Sequence, residues 1–119
     1  MTRNTYKKGS LNFFIYNEKD YFVGVCLELD IVVEAETIQE TKQELCDEVY
    51  SYVTSIINKK LSEDLLNRPA PKEYWDKFYD FLQNKIKAFD NGNNNHQLSE
   101  PLEFMQVPIS QVKLSPSCL

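Results

Sequence analysis

The side chains best suited to catalysis or binding lie between Glu28 and Glu48, where acidic residues are concentrated. This segment holds eight acids and one base, Lys42. The acids are Glu28, Asp30, Glu34, Glu36, Glu40, Glu44, Asp47 and Glu48. Carboxylates at this density have three interpretations: a solvated face that includes helix-cap chemistry, a surface that attracts and seats a basic protein, or ligands for a divalent metal.

The metal interpretation requires several of these acids to converge. A metal-dependent nuclease needs three or four carboxylates around one or two divalent ions. Glu28, Asp30, Glu34 and Glu36 are separated by even steps, so any of them on one continuous strand would share a face. Because Glu28 and Asp30 are predicted to lie in a turn and Glu36 at a helix start, the set is spread out. We therefore predict no catalytic residue, no metal site and no other cofactor.

Histidine and cysteine offer little further chemistry. The single histidine, His96, lies in an asparagine-rich loop and is predicted to be a solvent-exposed bystander. The three cysteines, Cys26, Cys46 and Cys118, include no Cys-x-x-Cys pair, which argues against a zinc site and a disulfide framework. Cys26 and Cys46 fall in apolar elements and are predicted to be buried. Without an uncharged stretch of membrane-spanning length, the sequence predicts a cytoplasmic protein that does not associate with a membrane.

Three short apolar runs are predicted to form the strands that position the acidic segment. They are Leu11 to Tyr16, Tyr21 to Leu27 and Ile31 to Val33, with the polar link Asn17 to Asp20 between the first two. Links of this length predict a three-stranded antiparallel meander. The first two runs are apolar on both faces, so neither face of the sheet is expected to lie in water.

Two helices and a late strand complete the predicted domain. Thr37 and Glu40 form a capping box that begins a helix ending at about Asn58. Prolines then prevent the helix from continuing, and a second helix over about 71–89 carries an aromatic stripe that includes Trp75. A late strand over about 102–107 is limited to a sheet edge or a strand end by Pro108. Residues 110–119 are predicted to form a tail.

The 119 residues are therefore predicted to form a single α+β domain. Its architecture is a small antiparallel sheet in the order β-β-β-α-α-β, with the helices packed on the sheet.

The order and spacing of these elements resemble the HicB-like antitoxin family. The aromatic-led second strand, Tyr21 to Leu27, ends in the acidic turn Glu28-Leu29-Asp30. A third strand then runs into the cap Thr37-Ile38-Gln39-Glu40, which opens the long helix. The likeness covers about residues 11–58. The sequence departs from the family pattern at three places: Leu27 stands where a proline is usual, Ala35-Glu36 replaces a glycine-acid pair, and Thr41 replaces an alanine.

The resemblance implies a partial RNase H-like fold without a working nuclease centre. In complete antitoxins of this type, the domain covers a small basic ribonuclease toxin. Such antitoxins usually add a ribbon-helix-helix or helix-turn-helix module that binds the operator, and no such module is evident after Val107. Since the net charge is also −5, we do not expect this chain alone to bind nucleic acid.

The leading hypothesis from sequence is thus a non-catalytic protein-binding domain of the HicB-like type. Its predicted partner-binding residues are Glu28, Asp30, Glu34, Glu44, Glu48 and Trp75. The unusual aromatic content, with 7 Tyr, 7 Phe and 1 Trp, also predicts a homo-oligomer. Two alternatives stay open: a metal-dependent nuclease of RNase H type, and a structural or regulatory oligomerisation domain in which the second helix only seals the sheet.

Overall fold

The chain folds around one four-stranded antiparallel sheet. The computed structural model describes residues 3–90 and 103–112, with the backbone alone over residues 85–90. The strands are β1 (Ser10–Glu18), β2 (Tyr21–Cys26), β3 (Ile31–Ala35) and β4 (Glu103–Pro108), in the spatial order β3-β2-β1-β4. The helices are α1 (Ile38–Asn58), α2 (Lys72–Asp90) and the short α3 (Ile109–Val112). The predicted α+β class and element order are confirmed.

Several boundaries differ from the sequence-based prediction. Strand β1 extends further into the polar link, to Glu18, which leaves a two-residue loop before β2 in which Lys19 has a φ of 41°. A four-residue 3₁₀ helix, Glu63–Leu66, and α3 were not predicted, because elements this short show no periodicity in a sequence. The start of the predicted tail is helical because Ile109 and Val112 are both fully buried. The remainder of that tail, the predicted loop after Asp90, His96 and Cys118 lie outside the described residues.

Both faces of the sheet are covered, as the two-sided apolar strands predict. Leu11 and Phe13 of β1 point into a core shared with α1, whereas Phe14 and Tyr16 point into a second core shared with α2. This alternation follows from the two-residue period of a strand. Each face therefore has its own helix, and β3 and β4 form the two edges of the sheet.

Helix α1 begins at the predicted cap and lies close to β2. The Thr37 hydroxyl accepts a hydrogen bond of 3.0 Å from the Glu40 backbone N–H. The close approach depends on Gly24, since a Cβ at that position would lie 2.8 Å from Cγ2 of Thr41. The buried Thr41 is fixed in turn by a 2.8 Å hydrogen bond from its hydroxyl to the Thr37 carbonyl. This packing sets which face of α1 points to solvent.

An asparagine network ties the N-terminal segment to the link before α2. The buried Asn4 side chain donates to the Leu66 carbonyl at 3.0 Å and accepts from the Ser10 N–H at 3.0 Å. Asn67 accepts from the Asn4 N–H at 2.8 Å and donates to the Asn4 carbonyl at 3.0 Å. Gly9 has a φ of 123° and touches Asn4 so closely that a side chain there would collide with it. The network holds residues 4–10 beside the start of α2.

Candidate functional site

The six residues predicted to bind a partner fall into two places in the fold. Glu28 and Trp75 border one cavity on the α2 side of the sheet. The other four lie beside the β3 edge or on the adjoining part of α1: Asp30, Glu34, Glu44 and Glu48. The fold thus divides a segment that is continuous in the sequence, and it gives Glu28 a different environment from the other acids.

Strand β3 is bordered by acids on its α1 side. Glu44, Asp47 and Glu48 line a concavity of about 440 Å³ together with Val32 and Val33. The three acids are exposed, and Val32 is 38% exposed at the strand's surface. The result is an apolar strip with carboxylates along one side of it.

Two further acids lie on the opposite side of β3, towards α2. Asp30 and Glu34 are exposed, and they are near enough to Tyr74 of α2 to affect its ionisation. Burial raises the pKa of Tyr74, and the carboxylates of Glu73, Asp30 and Glu34 raise it further. Asp30 itself has a φ of 56°, a left-handed conformation that aspartate tolerates better than most residues. We call Asp30, Glu34, Glu44, Asp47 and Glu48 together the acidic edge.

The charge of the acidic edge is not balanced within the described part of the chain. Across residues 3–84 and 103–112, none of its five carboxylates forms an ion pair. The one base of the segment, Lys42, instead forms a 2.8 Å ion pair with Glu103 of β4. Glu44 and Glu48 are like charges four residues apart on a helix, a spacing that costs a few tenths of a kcal/mol. The clustering of these carboxylates therefore lowers, rather than raises, the free energy of unfolding.

Glu28 supports the sheet rather than the acidic edge. Its carboxylate accepts one hydrogen bond from the Asn12 backbone N–H at 2.6 Å and one from the Asn12 side-chain amide at 2.5 Å. Its carbonyl accepts from the Arg68 N–H at 2.8 Å, which fastens the link before α2 to the β2–β3 turn. Burial raises the pKa of Glu28, and the hydrogen bonds from Asn12 offset part of that effect.

The cavity that Glu28 and Trp75 share has an aromatic wall and a polar floor. Its volume is about 780 Å³, within the size range of small-molecule sites. Trp75, Phe78 and Tyr79 of α2 supply aromatic surface, and Glu28 and Asn12 supply polar groups from the sheet side. Phe78 and Phe81 of the same helix pack on Phe14 of β1, with ring centroids 5.5 Å apart in each pair.

The aromatic wall continues onto the protein surface. The Trp75 and Tyr79 rings lie 6.0 Å apart, and the Phe78 ring lies 5.0 Å from Phe104 on the edge strand β4. Tyr79 is 50% exposed and Phe104 is 38% exposed. Trp75 is half-buried, so its indole contributes both to the core and to an accessible surface.

Carboxylates do not converge into a metal-binding arrangement in the described residues. Over residues 3–84 and 103–112, no three His, Cys, Asp or Glu side chains are grouped closely enough to hold a metal ion. The even-step acids Glu28, Asp30, Glu34 and Glu36 are divided between the cavity, the turn, the strand and the helix start.

Sequence reasoning missed most of the polar part of the cavity. Asn4, Asn12, Asn67 and Gln106 all line it, yet they are distant in sequence and belong to no motif. The one available signal was the pairing of Trp75 with Tyr79 at a spacing of four residues, which places both rings on one side of a helix. The predicted burial of Cys26 and Cys46 is confirmed.

These observations define an α+β protein whose antiparallel sheet carries a helix on each face, an acidic edge and an aromatic cavity. No helix among the described residues is both long and apolar enough to cross a membrane. Comparison of the chain with models of protein families, with curated proteins and with solved structures gives no match in any of the three.

Proposed function

We propose that this chain is a non-catalytic protein-binding domain of the HicB-like antitoxin type, and that its acidic edge binds a basic protein. A small basic ribonuclease is the partner we propose. The proposal includes a partial RNase H-like relationship for the fold, a cytoplasmic location and assembly into a homo-oligomer. The exposed Tyr79 and Phe104 beside edge strand β4 support that assembly, since aromatic side chains are enriched at protein interfaces.

The unbalanced charge of the acidic edge is the observation that carries the proposal. Five exposed carboxylates surround β3 without an internal counter-ion among the described residues, and Lys42 is engaged elsewhere. A basic partner supplies the missing counter-charge, and complementary charge steers association and selects against wrong partners. Val32, exposed at the centre of this surface, offers the apolar contact that a stable interface also needs.

The test uses the protein encoded by the open reading frame next to this gene. If that protein is short and basic, it should form a complex with this chain, and its ribonuclease activity should fall when the complex forms. Affinity should weaken as the salt concentration rises from about 50 to 500 mM, because the contact is between exposed charges. A neighbouring frame that encodes no basic protein, or a complex that is insensitive to salt, would contradict the proposal.

Charge-reversal variants locate the contact. The double variant Glu44→Lys/Glu48→Lys should weaken binding by roughly tenfold or more, because it places positive charge against a positive partner. Asp20→Lys/Asp80→Lys is the matched control, since Asp20 and Asp80 are exposed near the β1–β2 hairpin and the change in net charge is the same. Equal weakening by both variants would mean that only overall charge matters and that the acidic edge is not the contact.

A further inference from the structure

The aromatic cavity is separate from the acidic edge, and it contains a half-buried carboxylate, Glu28. The Glu28 carboxylate accepts two hydrogen bonds from Asn12 and one from its own backbone N–H, whereas an ionised carboxylate can accept about four. No ion pair involves Glu28 within the described residues. Among the described residues its negative charge therefore has no counter-ion, and its hydrogen-bonding capacity is not fully used.

The other charged group at the cavity does not neutralise Glu28. Of the described residues that line the cavity, Lys72 is the one that carries positive charge. Its ammonium group forms a 2.9 Å ion pair with Asp76, and its side chain is 86% exposed. The cavity therefore has a negative interior with its single cation held by another acid at the surface. An anionic ligand would meet a desolvated carboxylate in this cavity, which is unfavourable.

The aromatic wall of the cavity suits a flat cation. The faces of Trp and Tyr rings carry negative potential and attract cations, with Trp the strongest. Trp75 and Tyr79 are inclined to each other by 35° with centroids 6.0 Å apart, so both rings border the cavity from the same helix. A guanidinium group stacks on such rings and donates hydrogen bonds in a fixed fork that matches a carboxylate, whereas an ammonium group does neither.

We infer that the cavity binds a guanidinium group, presented by an arginine side chain of an extended polypeptide, between the Trp75 and Tyr79 rings and the Glu28 carboxylate. A polypeptide is favoured over a free guanidinium compound because the cavity, at about 780 Å³, is far larger than the group itself. Gln106 of β4 also lines the cavity, and β4 is an edge strand of the sheet that the described residues form, the kind of element to which an extended segment can add. Burial of Glu28 is consistent with a cationic ligand, because a desolvated carboxylate gains most from a partner that restores its lost hydration.

The binding test uses the chain's own fluorescence. Trp75 is the only tryptophan, so a change in its emission reports directly on the cavity. The probe is the capped pentapeptide Ala-Thr-Arg-Thr-Ala, and the matched control replaces its arginine with citrulline, a neutral analogue of nearly the same shape. The arginine peptide should give a saturable change in emission and bind at least about tenfold more tightly than the citrulline peptide. Equal binding of the two peptides, or no saturable change up to millimolar concentrations, would overturn the inference.

Two further probes test whether the ligand is a peptide rather than the free ion, and whether it is a guanidinium rather than an ammonium group. Guanidinium chloride at low millimolar concentration should bind more weakly than the pentapeptide, with sodium chloride as the ionic-strength control. If free guanidinium binds as tightly as the peptide, the polypeptide occupant is wrong. A lysine pentapeptide should bind more weakly than the arginine peptide, since an ammonium group cannot stack on the rings. Equal affinity for lysine would overturn the guanidinium specificity.

Variants of the cavity residues test whether the bound ligand is a cation or an anion. Glu28→Gln should weaken binding of the arginine peptide by about tenfold, with circular dichroism to verify that the variant folds. Lys72→Glu and Tyr79→Leu do not depend on the buried hydrogen bonds, since both residues are exposed. Lys72→Glu should strengthen binding and Tyr79→Leu should weaken it. Weaker binding after Lys72→Glu would identify an anion site and would refute the inference even if Glu28→Gln failed to fold.

Discussion

Replacing Gly24 with alanine should force α1 away from the sheet, and the cost can be worked out from one contact. The added Cβ would lie 2.8 Å from Cγ2 of Thr41, closer than carbon atoms approach without repulsion. Thr41 cannot easily turn aside, because it is fully buried and its hydroxyl is bonded to the Thr37 carbonyl at 2.8 Å. Overpacking of this kind costs about 1–3 kcal/mol. Because the contact is against a buried and hydrogen-bonded side chain, the upper part of this range applies, about 2–3 kcal/mol. The lower chain entropy of the unfolded alanine variant returns roughly 0.4–1 kcal/mol, so the net loss should be about 1–2.6 kcal/mol.

The contact predicts a specific rescue. Thr41→Ala removes the atom that collides with the new Cβ. The double variant Gly24→Ala/Thr41→Ala should therefore lose less free energy of unfolding than the sum of the losses in the two single variants. The remaining neighbours of the new Cβ, Val33 at 3.3 Å and Leu45 at 3.4 Å, need only small adjustments. We expect a coupling free energy of about 1–2 kcal/mol, obtained from urea denaturation of all four proteins in a double-mutant cycle.

Thr54 provides the matched control for this cycle. It lies on the same helix, and its hydroxyl also bonds to the carbonyl four residues earlier, at 2.7 Å from the Tyr50 oxygen. Thr54→Ala therefore removes the same kind of bond without touching Gly24, and its effect should simply add to that of Gly24→Ala. Additive effects for Thr41, or a Gly24→Ala protein as stable as the parent, would refute the packing of α1 against β2.

Two further predictions concern the opposite face of the sheet. Phe78→Ala should lower the free energy of unfolding by about 3–5 kcal/mol, because Phe78 is 5% exposed and its ring lies 5.5 Å from that of Phe14. Urea denaturation measures this loss, and a value below about 1 kcal/mol would mean that α2 does not seal this face. Burial raises the pKa of Glu28 above that of the unfolded carboxyl, so the folded state holds this proton more tightly. Wild-type stability should therefore fall relative to Glu28→Gln as the pH rises from about 4 to about 7. Urea denaturation at both pH values checks this, and the opposite trend would show that the hydrogen bonds from Asn12 outweigh burial.

The elements were largely predictable because their signals are local. The alternation of apolar residues in the first two strands identified a sheet buried on both faces, and the structure places a core on each. The cap at Thr37 located the start of α1, and Pro108, predicted to lie at a sheet edge or a strand end, is the last residue of the edge strand β4. Each of these signals lies within a few residues of the feature that it predicts, where backbone geometry alone relates sequence to structure.

The candidate sites were only partly predictable. The acids of the acidic edge are evident from composition, but their lack of counter-ions within the described part of the chain depends on Lys42 reaching Glu103, 61 positions further along. Glu28 was grouped with those acids although its partner is Asn12 on the neighbouring strand. Trp75 was identified, but the cavity beside it was not.

By itself, the sequence determined the strands, the two long helices and the concentration of acids before and within α1. Only the tertiary structure decided which side chains meet: it divided the acids between an exposed edge and an aromatic cavity, and it joined Asn4 to Asn67 across the chain. The physical reason is that periodicity and capping are set by neighbouring residues. Contacts between distant residues depend instead on the register of the strands and on where each helix crosses the sheet, and these are fixed by packing of the whole core.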